Sequence, residues 1–434
     1  MTPFASSIIR AALLPALASF LLSSGLAAHA QPFSVPSHRI DGTLVFDGIP
    51  PLDASLASRV SRYEEWRQAT FLDWLPDGSI LAATRFGAAS QVHRIALPLG
   101  MREQLTFGKG SVIEARAPGT GSGFVFVRQI QGYPQLFDYS HLGARTARQL
   151  TQGNYLHGSP VWSHDGKRIA FYGTDRTGVN DDIYVVNIPA GTHPQLAIAG
   201  SAGSWRPLDW SQDDSKLLLL NTLSPQKSAL YVAEVATGAL TPVAVPESRI
   251  TAASFAPDGV GFYLISDAQS DFEQLLYDNP ITHAIRRVSA DEPWNVETFA
   301  VSAGGHYVAY VVNDDGRSHL TVLDTLRNLQ FKPPGLDDGR IEGIRFDGTG
   351  RKLAFSYETA RSPRDVYVYD VAQGTVQRWT HSEIGPIDPN SLAAAQLIHY
   401  PTWDRLGLGR RTLSAYVYLP RGSAPCPVLI ALPG

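Results

Sequence analysis

Short apolar segments, each preceded by a turn signal, recur along the chain at a nearly constant interval. The turn residue is glycine or aspartate, and the segment after it is apolar on both faces, as in Leu217–Leu220. This pattern predicts a tight turn leading into a strand that is buried on both sides. The copies begin at Trp74, Ala117, Trp162, Trp210, Phe255, Val301 and Phe346.

The spacing of these copies predicts the fold. The turn positions are 78, 121, 166, 214, 259, 305 and 350, so successive copies are 43 to 48 residues apart. A further strand with tyrosine or leucine follows in several copies, at Ile183–Asn187, Leu230–Glu234, Leu320–Asp324 and Val366–Asp370. Seven units of about 45 residues predict an all-β, seven-bladed β-propeller of four-stranded blades, in which each blade buries its faces against two neighbours.

The segment between Asp53 and Gln68 has a helical pattern instead. Leu56, Val60 and Tyr63 recur at helical spacing, and Asp53 is suited to cap the first turn. We therefore predict one amphipathic helix that leads into the first blade.

The first thirty residues have the pattern of a secretory signal. Arg10 precedes a nearly uncharged apolar run, Ala11–Ala27, and Ala28–Ala30 supplies a small-x-small cleavage pattern. A buried helix or a membrane anchor is the alternative, but Pro15 interrupts the run, which is also short for a membrane span. The sequence predicts cleavage after Ala30, a periplasmic or secreted protein, and no membrane contact after cleavage. Cys426 is the only cysteine, so no intrachain disulfide can form.

The C-terminal part does not continue the repeat. A connector over Glu383–Asn390 is followed by two predicted strands, Leu413–Leu419 and Pro427–Leu432. The continuous apolar run of the second strand is typical of a central strand in an α/β sheet. The predicted domains are a signal peptide (1–30), an N-terminal extension with the helix (31–70), the propeller (71–385), and a linker with the first strands of an incomplete α/β-hydrolase domain (386–434).

Composition restricts the function classes. A hydrophobic share of 44% and a charged share of 18% are typical of a folded globular protein, and the formal net charge of −4 is made of interspersed signs. No basic field is present to attract a phosphate backbone, so we expect no nucleic-acid partner. We also expect no cofactor.

Several local patterns resemble chemical sites without the context that such sites need. Ala199–Gly203 contains a serine between glycines but no following helix, so we predict a flexible loop rather than a nucleophile elbow. Gly119–Gly123 lacks the helix and lysine of a phosphate-binding loop, and we predict a blade turn.

Metal sites and aromatic ligand sites are disfavoured in the same way. The histidines have no metal-ligand spacing, and solvated turn carboxylates are the more common role for the acidic group near the third blade. The periodic tryptophans are expected to pack blades together rather than to stack on a ligand. We assign no catalytic, cofactor-binding or metal-binding residue. The residues considered are His157, His164, His283, His306, Asp175, Asp181, Asp182, Trp74, Trp162 and Trp210.

Parts of the sequence resemble the prolyl oligopeptidase (S9) family of serine peptidases. The N-terminal part of the resemblance lies in the segments Pro51–Leu52, Arg59–Val60, Arg67–Gly78, Thr84–Gly87, Gln91–His93 and Arg102–Phe107. The segments Trp162–Phe171, Asp175–Gly178 and Asp182–Val186 are also similar to the wider group of TolB-like, WD40-like propellers. Tyr416–Pro420 and Pro427–Gly434 are similar to the first strands of the family's hydrolase domain.

The resemblance implies a propeller that caps an active site and admits peptides but not folded proteins. Pro433 stands where the family usually has histidine, and the family's catalytic serine, aspartate and histidine would lie beyond residue 434. We therefore expect this chain to be inactive alone, with peptide substrate as the partner of the intact enzyme. The alternative is a non-enzymatic periplasmic propeller that mediates protein–protein interaction.

Overall fold

The computed structural model describes residues 38–41, 44–48, 52–144, 146–188, 193–290, 293–336, 339–406, 409–422 and 425–432. The predicted signal peptide and Pro433 lie outside the described residues. Within them, no helix has the length and apolar character needed to cross a membrane.

The chain divides into two compact units, residues 1–58 and 59–434, and the only α-helix of the described residues begins in the first and ends in the second. The first unit contains an antiparallel hairpin of β1 (His38–Asp41) and β2 (Leu44–Asp47).

Helix α1 (Ala54–Ser61) continues into a 3-10 turn over Arg62–Glu64. The Asp53 carboxylate accepts hydrogen bonds from the backbone N–H groups of Ser55 and Leu56, which confirms the predicted cap. The helix ends earlier than the predicted segment, and none of its residues is buried.

The second unit contains the propeller, as predicted. Blade 1 consists of β3 (Ala69–Trp74), β4 (Ile80–Thr84), β5 (Gln91–Ile95) and β6 (Arg102–Gln104). Blade 2 consists of β7 (Val112–Arg116), β8 (Phe124–Ile130), β9 (Tyr133–Tyr139) and β10 (Arg148–Gln149). Blade 3 consists of β11 (His157–Trp162), β12 (Arg168–Gly173), β13 (Asp182–Asn187) and β14 (Gln195–Ile198).

The remaining blades repeat this arrangement. Blade 4 consists of β15 (Ser204–Trp210), β16 (Lys216–Ser224), β17 (Lys227–Glu234) and β18 (Leu240–Pro242). Blade 5 consists of β19 (Ile250–Phe255), β20 (Phe262–Ser266), β21 (Gln274–Asn279) and β22 (Ala284–Arg287). Blade 6 consists of β23 (Asn295–Val301), β24 (Tyr307–Asp314), β25 (Arg317–Asp324) and β26 (Leu329–Phe331). Blade 7 consists of β27 (Gly339–Phe346), β28 (Lys352–Thr359), β29 (Ser362–Asp370) and β30 (Thr375–Arg378).

Each blade is an antiparallel meander built from one continuous stretch of chain, and no described strand pairs across two blades. The first strand of a blade is joined to the second by the predicted turn. The seven predicted turn residues, six glycines and Asp214, all have φ between 57° and 87°, the left-handed region that these residue types tolerate.

The apolar core lies between the blades. Seven clusters of buried side chains are found, and each combines residues of two neighbouring blades, including blades 7 and 1. Strand β16 shows why the second strand is apolar on both faces: Leu217 and Leu219 join the cluster with blade 3, while Leu218 and Leu220 join the cluster with blade 5.

A separate two-stranded sheet follows the ring. It pairs β31 (Ala395–Leu406) with β32 (Gly409–Tyr418), so the predicted strand at Leu413–Leu419 is present and gains a partner that the sequence did not reveal. The second predicted strand, Pro427–Leu432, is not a strand in the structure. Its residues have no partner strand among the described residues, and Val428, Leu429, Ile430 and Leu432 are each at least 77% exposed.

Candidate functional site

The innermost strands of the ring surround a channel along the propeller axis. A cavity of about 1380 Å³ is lined by the innermost strands of six blades, by His164 of blade 3, and by the first turns of blades 4, 5 and 6. Its wall is polar and apolar in similar measure, and its accessible apolar side chains include Ile113 and Phe299.

Four charged side chains of this wall lie at one level, which we call the collar, while Glu114, Asp213 and Lys216 line the cavity outside it. The collar is formed by the residue five positions before the turn residue of each blade, in order Asp73, Arg116, Val161, Asp209, Ser254, Ala300 and Arg345. All of these except Val161 line the cavity. The collar therefore has alternating charges in three adjacent blades, and we call these residues, Arg345, Asp73 and Arg116, the arc. Asp209 in blade 4 is a fourth charged collar residue.

A bulge in each innermost strand positions the collar. The pairing register between the first and second strands shifts in every blade. In blades 1, 3, 4 and 7 the first residue paired after the shift is the collar residue. Because a bulge re-aims the side chains that follow it, the repeated irregularity directs collar side chains consistently.

The periodic tryptophans donate hydrogen bonds to the backbone of collar residues. The indole N–H groups of Trp74, Trp162 and Trp210 donate to the backbone oxygens of Arg345, Arg116 and Val161, at 3.1, 2.9 and 3.0 Å. Each acceptor is the collar residue of the preceding blade. This confirms that these residues join the blades, and it adds a directional bond that packing alone would not give.

Two collar aspartates make the reciprocal bond to the following blade. Asp73 accepts from the N–H of Trp74 at 2.9 Å and of Ala117 at 3.1 Å. Asp209 accepts from the N–H of Trp210 at 3.0 Å and of Phe255 at 2.9 Å. Burial in the channel wall raises the pKa of Asp209 to about 6, although these two donors oppose the rise. Asp209 thus titrates near neutral pH.

The two collar arginines have unequal surroundings. Arg116 forms an ion pair with Glu114 at 2.8 Å and donates to the backbone oxygens of Ala115 and Leu72. Arg345 has Asp73 at 3.9 Å as its nearest ion-pair partner. The Arg116 guanidinium, followed by burial, lowers the pKa of Arg345.

The sequence patterns that resembled chemical sites lie in loops and turns, or form contacts between two side chains. Ser201 lies exposed in the loop between β14 and β15, and Gly119–Gly123 forms the turn between β7 and β8. The acidic residues of blade 3 each have a separate partner: Asp175 contacts His157, Asp181 accepts from Ser204, and Asp182 pairs with Arg176. No group of three metal-ligating side chains occurs among the described residues.

The β31–β32 sheet is attached to the ring at the turn between β24 and β25 of blade 6. His399 Nε2 lies 2.7 Å from Asp315, Ser414 donates to the same carboxylate, and the Tyr416 hydroxyl donates to the Asp315 backbone oxygen at 2.8 Å. This group contains serine, histidine and aspartate, but the serine bonds to the aspartate rather than to the histidine. It lacks the connectivity of a catalytic triad.

Comparison with solved structures places this ring among known propellers. A prolyl endopeptidase matches 84% of the chain with a TM-score of 0.65 at 13% identity, and a puromycin hydrolase matches 85% with a TM-score of 0.67 at 17% identity. The chain has the propeller fold found in these enzymes. TolB from Acinetobacter baumannii matches 70% of the chain at a TM-score of 0.46. No protein-family model and no curated protein sequence matches the chain.

The chain spans 56% of the prolyl endopeptidase and 60% of the puromycin hydrolase.

Proposed function

We propose that this chain is the substrate-gating propeller of an exported serine peptidase of the prolyl oligopeptidase (S9) type, and that the catalytic triad is supplied by sequence after residue 434. The observation that carries the proposal is a seven-bladed ring around an axial channel, in the fold found in prolyl endopeptidase and puromycin hydrolase.

The channel supports a role in peptide selection. Its volume of about 1380 Å³ exceeds the roughly 300–1,000 Å³ of most small-molecule pockets. A wall that combines apolar side chains with charged groups suits an extended peptide, whose side chains vary while its backbone and termini do not. A ring closed by packed blades would exclude folded proteins.

The segment after the ring supports a connection to a second domain. Strands β31 and β32 pair only with each other among the described residues, and Trp403 is 94% exposed. The apolar run Val428–Leu432 is also exposed. Such surfaces are typical of strands that another structural layer covers.

The test compares residues 31–434 alone with the same chain continued through whatever its gene encodes next. We expect no hydrolysis of chromogenic peptides by the first protein, and hydrolysis by the second that is lost when the serine of a downstream Gly-x-Ser-x-Gly segment is changed to alanine. A folded protein of the same composition should not be cleaved. A stop codon directly after Gly434, with no hydrolase segment encoded, would contradict the proposal and favour a binding propeller.

A further inference from the structure

Arg345 is a cation without a full set of acceptors in the channel wall. Its side chain is 45% exposed, and Asp73, at 3.9 Å from Arg345 Nε, is beyond hydrogen-bond distance. Among the described residues, no side-chain or backbone oxygen accepts a hydrogen bond from its guanidinium. A guanidinium presents five donors in a planar fork, so this group is available to an incoming acceptor.

The neighbouring carboxylates accept no hydrogen bond from Arg345. Both carboxylate oxygens of Asp73 already accept backbone N–H groups, and Glu114 is paired with Arg116. Arg116 therefore stays in place as a second positive charge, and Arg345 is the member of the arc whose donors are uncommitted.

We propose that Arg345, with Arg116 as the adjacent charge, binds the C-terminal carboxylate of a peptide that has entered the channel; this inference rests on the proposed function. A carboxylate matches the planar fork of a guanidinium and can accept two parallel hydrogen bonds. The exposed Ile113 and the partly buried Phe299 also line the channel, where they can contact apolar side chains of the peptide.

The charge balance favours a monoanion over a phosphate. The arc of Arg345, Asp73 and Arg116, together with the Glu114 carboxylate that pairs with Arg116, has a formal charge of zero before a ligand binds. The negative charge of Asp209 also acts on Arg345. These three carboxylates repel a dianion about twice as strongly as a monoanion, so a single carboxylate suits the uncommitted fork better than a phosphate dianion.

The experiment is isothermal titration calorimetry of residues 31–434 with an N-acetylated Ala-Ala-Pro-Ala peptide, as the free acid and as the C-terminal amide. We expect the acid to bind about ten- to a hundredfold more tightly than the amide, since a hydrogen bond to a charged group contributes that much. Arg345→Gln should remove this preference, and Arg345→Lys should restore part of it. Inorganic phosphate at the same concentration should not compete.

Arg327→Gln is the matched control, because Arg327 lies in the turn between β25 and β26, is 73% exposed, and is equally charged. It should leave the acid-over-amide preference unchanged. Equal binding of acid and amide by the unaltered chain, or an unchanged preference in Arg345→Gln at an unchanged unfolding midpoint, would overturn the inference while leaving the proposed function intact. Absence of binding by both peptides would instead count against peptide admission itself.

Discussion

Asp209 couples the collar to pH. Its pKa is about 6 in the folded chain and 3.8 ordinarily, so the folded state holds the proton more tightly than the unfolded state. The resulting stability is fully present below pH 3.8 and is lost as the pH rises through 6.

We expect the free energy of unfolding of the wild type, relative to Asp209→Asn, to fall by about 2 kcal/mol between pH 4.5 and pH 7. Urea unfolding at both pH values measures this difference. Asp213→Asn is the control: hydrogen bonds from Ser211 and Ser215 lower the pKa of Asp213 to about 2, so its contribution has the opposite sign and is lost only as the pH falls. A pH-independent difference for Asp209→Asn would contradict the assignment.

Trp210 shows how much one inter-blade bond contributes. Its side chain is fully buried, and Arg168 lies over its ring at 4.7 Å. Trp210→Phe removes the donor to the Val161 oxygen while keeping an aromatic ring, so we expect a loss of about 1–3 kcal/mol in thermal or denaturant unfolding. Trp403→Phe, at a site that is 94% exposed, should change stability by less than about 0.5 kcal/mol. Equal effects at the two sites would show that the bond is not important.

At the scale of elements, the attachment of the β31–β32 sheet depends on one turn. Asp315 has φ of 52°, and a Cβ on the adjacent Gly316 would lie 2.9 Å from the Tyr416 ring. Asp315→Asn keeps a residue that tolerates this backbone conformation but removes the charge that faces His399.

We expect amide hydrogen exchange over residues 395–418 to become about 1.5- to fivefold faster in Asp315→Asn, since a carboxylate contact at a partly exposed site contributes roughly 0.2–1 kcal/mol. Exchange in the buried second strands of the blades should not change. Asp314→Asn, which alters the neighbouring residue and its His319 pair, should leave residues 395–418 as they are. Faster exchange throughout the ring would point instead to a general loss of stability.

The strands that could be predicted from sequence are those with the strongest burial pattern. Second and third strands such as β16 and β17 contain long apolar runs, whereas the outer strand β18 is exposed at every residue and has no comparable signal. The segment Pro427–Leu432 shows the opposite error, because an apolar run predicts a strand only where a partner strand is available to satisfy its backbone.

At the scale of the whole molecule, the repeat period was sufficient to predict the ring, but the collar was not predicted. The tryptophans before three of the turns were visible in the sequence, while the residue at the collar position varies from Asp73 to Val161 to Arg345. Only closure of the ring brings residues 73, 116 and 345 together, because blade 7 then lies beside blade 1. Two charges that lie more than two hundred residues apart along the chain give no local sequence signal that they meet in the fold.

Ring closure between blades 7 and 1 uses side chains and no shared strand. The Trp74 indole donates to Arg345, and the Phe71 N–H donates to Ser356 Oγ at 2.8 Å. The junction between blades 7 and 1 is thus of the same kind as the other six, in which packed side chains join blades that share no described strand. A gene rearranged to begin in a loop between two blades, with a linker joining residue 378 to residue 69, would encode the same circle of sheets.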